Sequence, residues 1–399
     1  MSSITERLAG CLVHFGGMKT IAKIIAAAWL LAWLAPGQAA MDDLYAAEVP
    51  VADDTLTVRN QGLRQAMRQV LVRLSGRKDV GGNPAVENLL ERAPSLVQQF
   101  RYRLDDPVAA VGKDTPQRYL WARFDESGLG RMMRSAGIPV WRSNRPRVLI
   151  WLAEERNGQR QLLNLDNSPV LRQGLLAEAD KRGMPLQLPL MDLLDQSALS
   201  AADLWAGYEA AIREASNRYP HDVILTGRLR NLGGRWEAQW TLWDRNGTEE
   251  FSMRTLDLGE ALVSGIDPAQ DSLAARYAPV GSGDGPGRIR VRFNGIDSLP
   301  AYGRLMQIIR EQDSITRVDV RGSNADALYL DLWVRGGESA LVRVLSLGGE
   351  IFQVPPEQQP LLPAQPQAGE AGNADASPVG AFLPTDLTFN FLPSVAGGR

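Results

Sequence analysis

Beyond residue 40 the chain contains one histidine, His221, and the next residue is Asp222. That dipeptide is the closest the sequence comes to a general base with its orienting carboxylate, the pair that would activate a serine for acyl transfer. The spacing argues against it. Asp222 heads the strand-like run VILTGRLR, and successive side chains of a strand point to opposite faces. The one cysteine, Cys11, lies in the first seventeen residues, so the rest of the chain has neither Cys-His catalysis nor disulfide staples. Zinc takes three or four His, Cys or carboxylate ligands, and one histidine without cysteine does not assemble such a set. Asp42-Asp43, Asp53-Asp54 and Asp105-Asp106 lack the alternating spacing of a calcium loop. Two carboxylates facing each other would suffice for glycan hydrolysis, but such a pair meets only in the fold. The residues therefore nominate no catalytic group, no metal ligand and no cofactor.

Binding candidates are few. Arg64 and Arg68 share the polar face of one helix, an arrangement that would suit an anion but is more often simply solvated. Arg142, Arg145 and Arg147 cluster where the first two domains should join, and a cleft there would take a small ligand. Trp243 falls on the opposite face of its strand from Trp236, Ala238, Trp240 and Leu242, so it is the aromatic to watch for stacking. The 43 basic and 46 acidic side chains include Arg7, Lys19, Lys23 and Glu6 in the first forty residues, leaving the remainder weakly acidic. That balance provides no concentrated basic face for nucleic acid.

The address is written in MKTIAKIIAAAWLLAWLAPGQAA, which starts at Met18. A basic head, a short apolar core and small exit residues are the parts of a secretory signal peptide. The core is shorter than the roughly 20 residues that span a bilayer, so cleavage is expected after Ala39 or Ala40, with no permanent span left behind. Residues 1 to 17 add nothing that such a signal needs; either translation starts at Met18 or these residues are an extended head.

The elements follow from periodicity. Within residues 41–143, LYAAEVPV reads as a strand. Leu63, Ala66, Met67, Val70, Leu71 and Leu74 then recur at spacings of three and four, the stripe of an amphipathic helix stopped by Gly76. Asn83-Pro84 opens a second helix, which Pro94 restarts through SLVQQFRYRL. The strand RYLWARFD and the helix ESGLGRMMRSAG complete a first α/β domain. Residues 144–280 form a second one. RVLIWLAEE is apolar enough to be buried on both faces, followed by helix PVLRQGLLAEADKRG, strand MPLQLPL and a helical region from Met191 to Tyr219. A meander then turns at Gly233-Gly234 and Asn246-Gly247, with one side packed on a core. The helix GEALVSGIDPAQDSLAARYA closes this domain.

GSGDGPG, residues 281–287, is a linker. It follows a helix rather than a strand, and Pro286 lacks the amide that a phosphate loop would use. Residues 288–354 run β-α-β-β-α-β. Residues 355–380, rich in Pro, Gln, Ala and Gly, should be disordered. In the tail, 381–399, DLTFNFLP is strand-like, either folding back onto a sheet edge or offered to a partner. The expected fold class is mixed α/β and α+β: two α/β domains followed by a small ferredoxin-like βαββαβ domain and a disordered tail.

RNQGLRQAMRQVLVRLSGRKDV, FDESGLGRMMRSAGIPVWRSNRPRVLIWLAEE and ILTGRLRNLGGRWEAQWTLWD together resemble the exported bacterial family known as domain of unknown function 2066 (DUF2066), over roughly residues 44 to 350. That family has no assigned catalytic residues, so the resemblance implies export and a domain arrangement but no site. More loosely, the middle domain resembles the α/β modules of periplasmic envelope-assembly proteins such as the amino-terminal domain of TolB. Likeness at the level of fold is a weak warrant for function. The expectation is a non-catalytic periplasmic protein that binds envelope proteins through sheet edges. A hydrolase of envelope glycans or peptides and a small-ligand-binding protein are the alternatives.

Overall fold

The computed structural model describes residues 44–82, 84–104, 117–245, 247–279, 285–324, 327–355 and 385–392, within a compact unit that begins at Asp42. The signal region with Ala39 and Ala40, the capping Asn83, the turn residue Asn246, and most of the linker and of the 355–380 segment lie outside the described residues. The fold is mixed α/β and α+β, with three sheets and a hydrophobic core on each.

In the first lobe, β1 (Ala46–Val51) and β2 (Val97–Leu104) flank β3 (Arg118–Phe124) in an antiparallel sheet. The long helix α1 (Leu56–Ser75) buries its apolar stripe there and ends at Gly76, whose φ of 74° suits a residue without Cβ. Helices α2 (Pro84–Glu91), α3 (Ala93–Leu96) and α4 (Glu126–Ser135) complete the lobe. Asp125 caps α4, its carboxylate accepting from the amides of Ser127 and Gly128.

One expectation fails here. SLVQQFRYRL does not continue a helix; only the single turn of α3 is helical, and β2 follows. Phe100, Tyr102 and Leu104 alternate with Gln99, Arg101 and Arg103, a period of two that takes effect only because β3 lies alongside. Arg101 stacks over Trp121 at 4.6 Å and Arg103 over Tyr119 at 4.8 Å.

The second lobe is built on β4 (Val148–Arg156), β5 (Gln159–Leu162), β7 (Val223–Leu232), β8 (Arg235–Asp244) and β9 (Gly247–Thr255). Its order is β5-β4-β7-β8-β9, with β4 and β7 parallel and the two-residue β6 (Leu186–Gln187) beside the start of β4. The meander turns at Gly233-Gly234. It is not packed on one side only. Helices α5 (Pro169–Arg182), α9 (Leu258–Val263) and α10 (Ile266–Tyr277) cover the Trp240 face. Three short helices, α6 (Leu193–Ala198), α7 (Ala201–Ala206) and α8 (Glu209–Ser216), cover the other. These three make up the helical region expected from Met191 to Tyr219; each is too short to show a periodic stripe.

MPLQLPL supplies only β6. β5 is an addition, folded back through Asn157-Gly158, both at positive φ. The closing helix breaks between α9 and α10 at Ser264-Gly265, and Gly265 lies against the Trp240 ring, where a Cβ would sit 2.2 Å from Cδ2.

The third lobe runs β10 (Gly287–Asn294), α11 (Leu299–Arg310), β11 (Ile315–Ser323), β12 (Ala327–Val334), α12 (Gly337–Leu345) and β13 (Ile351–Gln353), the expected β-α-β-β-α-β. The tail strand β14 (Leu387–Phe391) does not sit on an edge. It runs between β10 and β13, parallel to the first and antiparallel to the second, in the order β11-β12-β10-β14-β13. Leu387, Phe389 and Phe391 fill the core, and Phe389 stacks on Phe293 with ring centroids 5.5 Å apart.

Candidate functional site

The arginines singled out at the first junction do not line an open cleft between the first two lobes. Arg145 is 7% exposed. Its Nη1 donates to the Gly183 carbonyl at 2.8 Å, and its Nη2 donates to the carbonyl of Arg73 at 2.6 Å and to that of Trp141. The guanidinium also lies 4.6 Å from the Trp141 ring centroid. Burial, with Arg73 and Arg182 close by, pushes this guanidinium down to about 9 despite the opposing pull of Asp313. Such a group is a structural tie: every acceptor it reaches is backbone of this chain.

Arg147 is spent as well. Its backbone amide and Nε donate to Asp222 at 2.9 and 3.1 Å, and Asp222 also accepts from the Gly348 amide at 2.9 Å. His221 takes no part; its Nδ1 lies 2.8 Å from the Tyr219 carbonyl oxygen. The His221-Asp222 dipeptide is therefore no catalytic pair.

Trp243 is buried in the core that α7 and α8 share with the sheet, and its Nε1 donates to Thr226 Oγ1 at 3.0 Å. That burial leaves it no stacking surface, and the helices responsible cannot be read from the meander alone. Arg64 and Arg68 are exposed, and Arg68 pairs with Glu87 at 3.1 Å across the solvated face. They are not brought together with any of the other candidates.

Two charged residues of consequence were passed over. Arg73 and Arg182 fall on the buried faces of α1 and α5, where helical spacing calls for apolar residues, and that misfit was a legible signal. Arg73 donates to the Ala46 carbonyl and pairs with Asp180 at 3.1 Å. Arg182 donates to the Gly76 carbonyl at 3.2 Å and pairs with Asp267 and Asp271. Together they fasten the first lobe to the second.

Arg142, exposed like Arg147, is the junction arginine that lines a cleft. Its amide and Nε donate to Asp313 at 2.6 and 3.1 Å. Beside this pair is a cleft of about 560 Å³, lined by Arg134, Ile138, Pro139 and Val140 of the first lobe and by Pro279, Ile315, Thr316 and Arg335. Among the described residues no His/Cys/Asp/Glu cluster could hold a metal ion, and no helix is long and apolar enough to cross a membrane.

The other open feature is the outer edge of β2. No described strand pairs there, and Phe100 and Leu104 are 46% and 53% exposed. The remaining sheet edges carry guards against adventitious pairing. β11 has two register shifts, β13 has three residues, and β9 carries Glu249, Glu250 and Arg254. β1 is the shorter edge of its own sheet and includes Pro50. β2 is eight residues long, with one irregularity at its start.

A family model described as a domain of unknown function (DUF8605) matches residues 39–142, the stretch that contains β2 and the first lobe's core. Comparison with curated proteins and with solved structures finds no match.

Proposed function

We propose that this is an exported, periplasmic protein that acts by docking segments of other envelope proteins, not by catalysis, and that β2 is the docking edge. The observation that carries this reading is the outer edge of β2, eight residues long, with no described strand paired to it and with Phe100 and Leu104 exposed. An extended partner laid along β2 would satisfy its free backbone groups, and alternate side chains would meet Phe100 and Leu104. The strand contains Arg101 and Arg103 and no acid, so an apolar segment with acidic residues fits best. The signal-like run ahead of Ala39 and Ala40 supports export. The resemblance to DUF2066 and the looser one to TolB modules agree with an envelope role. The family model that matches residues 39–142 is DUF8605, not DUF2066, so the DUF2066 relation rests on the resemblance alone along its whole length.

A photo-crosslinking amino acid at Phe100 or Leu104, introduced into the full chain in living cells, tests the reading. Discrete adducts with envelope proteins are expected from these two sites and not from Val170, which is more exposed and lies on α5. Identical adducts from all three sites, or none from β2, would sink it.

A further inference from the structure

We propose that the cleft between α4 and the Ile315–Thr316 and Arg335 end of the third sheet binds a small organic oxyanion. The ligand is a carboxylate or phosphate group on an apolar body, held by Arg134 and Arg335. This site is independent of strand docking at β2.

Three observations carry it. The volume, about 560 Å³, falls within the range of small-molecule clefts, roughly 300–1,000 Å³. Its lining mixes chemistries, with Ile138, Pro139, Val140 and Ile315 alongside three guanidinium groups. The charge is also unbalanced. Among the described residues Asp313 is the only acid in the lining, its carboxylate occupied by the Arg142 amide and Nε and the Ser143 amide, and Glu126 beside the cleft also pairs with Arg142, at 3.6 Å. Arg134 and Arg335 make no ion pair among the described residues. Fixed cations beside an apolar wall stabilise an anion whose ring or chain covers that wall, because desolvation strengthens each charge-assisted hydrogen bond.

The wider cleft between α10 and α12, of about 800 Å³, lacks this surplus. There Arg276 is held by Asp244 and Glu249, the Arg343 side chain donates to the Arg276 carbonyl, and Glu338 contributes a negative charge.

Calorimetric titration of the full chain with phenyl phosphate, benzoate and uncharged benzyl alcohol tests the proposal. Saturable binding of phenyl phosphate or benzoate is expected, with the tighter of the two assigning the headgroup, and affinity should fall as salt is raised. Arg134→Gln and Arg335→Gln, both at positions without an ion pair, should each weaken it by about tenfold while leaving the circular dichroism spectrum unchanged. The salt series on the native chain keeps the test decisive if either variant misfolds. No saturation by about 10 mM, equal binding of benzyl alcohol, or indifference to both substitutions and to salt would each overturn the assignment.

Discussion

Asp222 shows how a residue that looks catalytic in a sequence can serve only to hold the fold. Its carboxylate receives the Arg147 amide, the Arg147 guanidinium and the Gly348 amide, joining the starts of β4 and β7 to the third lobe. Burial alone would raise its pKa; the hydrogen bonds and charge of Arg147 outweigh that and hold it below the ordinary value of 3.8. A carboxylate depressed by folding adds stability above its unfolded pKa, and that stability is lost as pH falls through the lower, folded value. Asp222→Asn should therefore cost about 1–3 kcal/mol near pH 7. The denaturation midpoints of variant and parent should converge below about pH 4. Curves that stay parallel through that range would show that the ionised form is not what matters. Arg145 has the opposite sign: its charge is costly where it lies, and three carbonyl acceptors with the Trp141 ring offset the cost.

At the scale of elements, β14 is the most consequential placement. The strand was legible from DLTFNFLP, whose alternating Leu387, Phe389 and Phe391 announce one buried face. Its position was not, because nothing local says that a tail strand will part β10 from β13. Arg290 and Asp386 fix its start, with Nη2 and Oδ1 2.6 Å apart and the Arg290 amide donating to the same carboxylate. Phe389→Ala would leave a void beside Phe293 and should cost about 3–5 kcal/mol. Hydrogen exchange should then quicken at the amides of β10 and β13 but hardly at all in β4 and β7. Uniform acceleration across the three sheets would contradict the insertion. β2 was misread for a related reason. Its Pro94 start and mixed polar sequence suit a helix locally, and pairing with β3 overrides that preference.

For the molecule as a whole, the question is whether three cores unfold as one. The Arg73–Asp180 ion pair and the Arg182 hydrogen bond to the Gly76 carbonyl bridge the first two lobes. Arg142–Asp313 and the Ser143 hydroxyl on the Glu311 carbonyl join the Trp141–Asn144 connection to the third. Arg343 on the Arg276 carbonyl and Arg245 on the Ser346 carbonyl join the second to the third. Domains that share few contacts unfold separately. Here buried Arg73, Arg145 and Arg182 span the first junction, and breaking either lobe would strand their charges in the other. Thermal unfolding followed by far-ultraviolet dichroism and by tryptophan fluorescence should give coincident transitions. Two resolved steps would show that the ties are too weak to couple the cores.

The sequence by itself determined the helices with long apolar stripes, the Gly233-Gly234 turn and the β-α-β-β-α-β order. Each of these depends on residues close together in the chain. Tertiary structure decided the rest: which face of the meander Trp243 meets, that Arg145 and Arg147 are fasteners, and that Arg134 and Arg335 share one cleft. Those outcomes depend on groups far apart in sequence, whose burial and charge balance exist only after the lobes have packed.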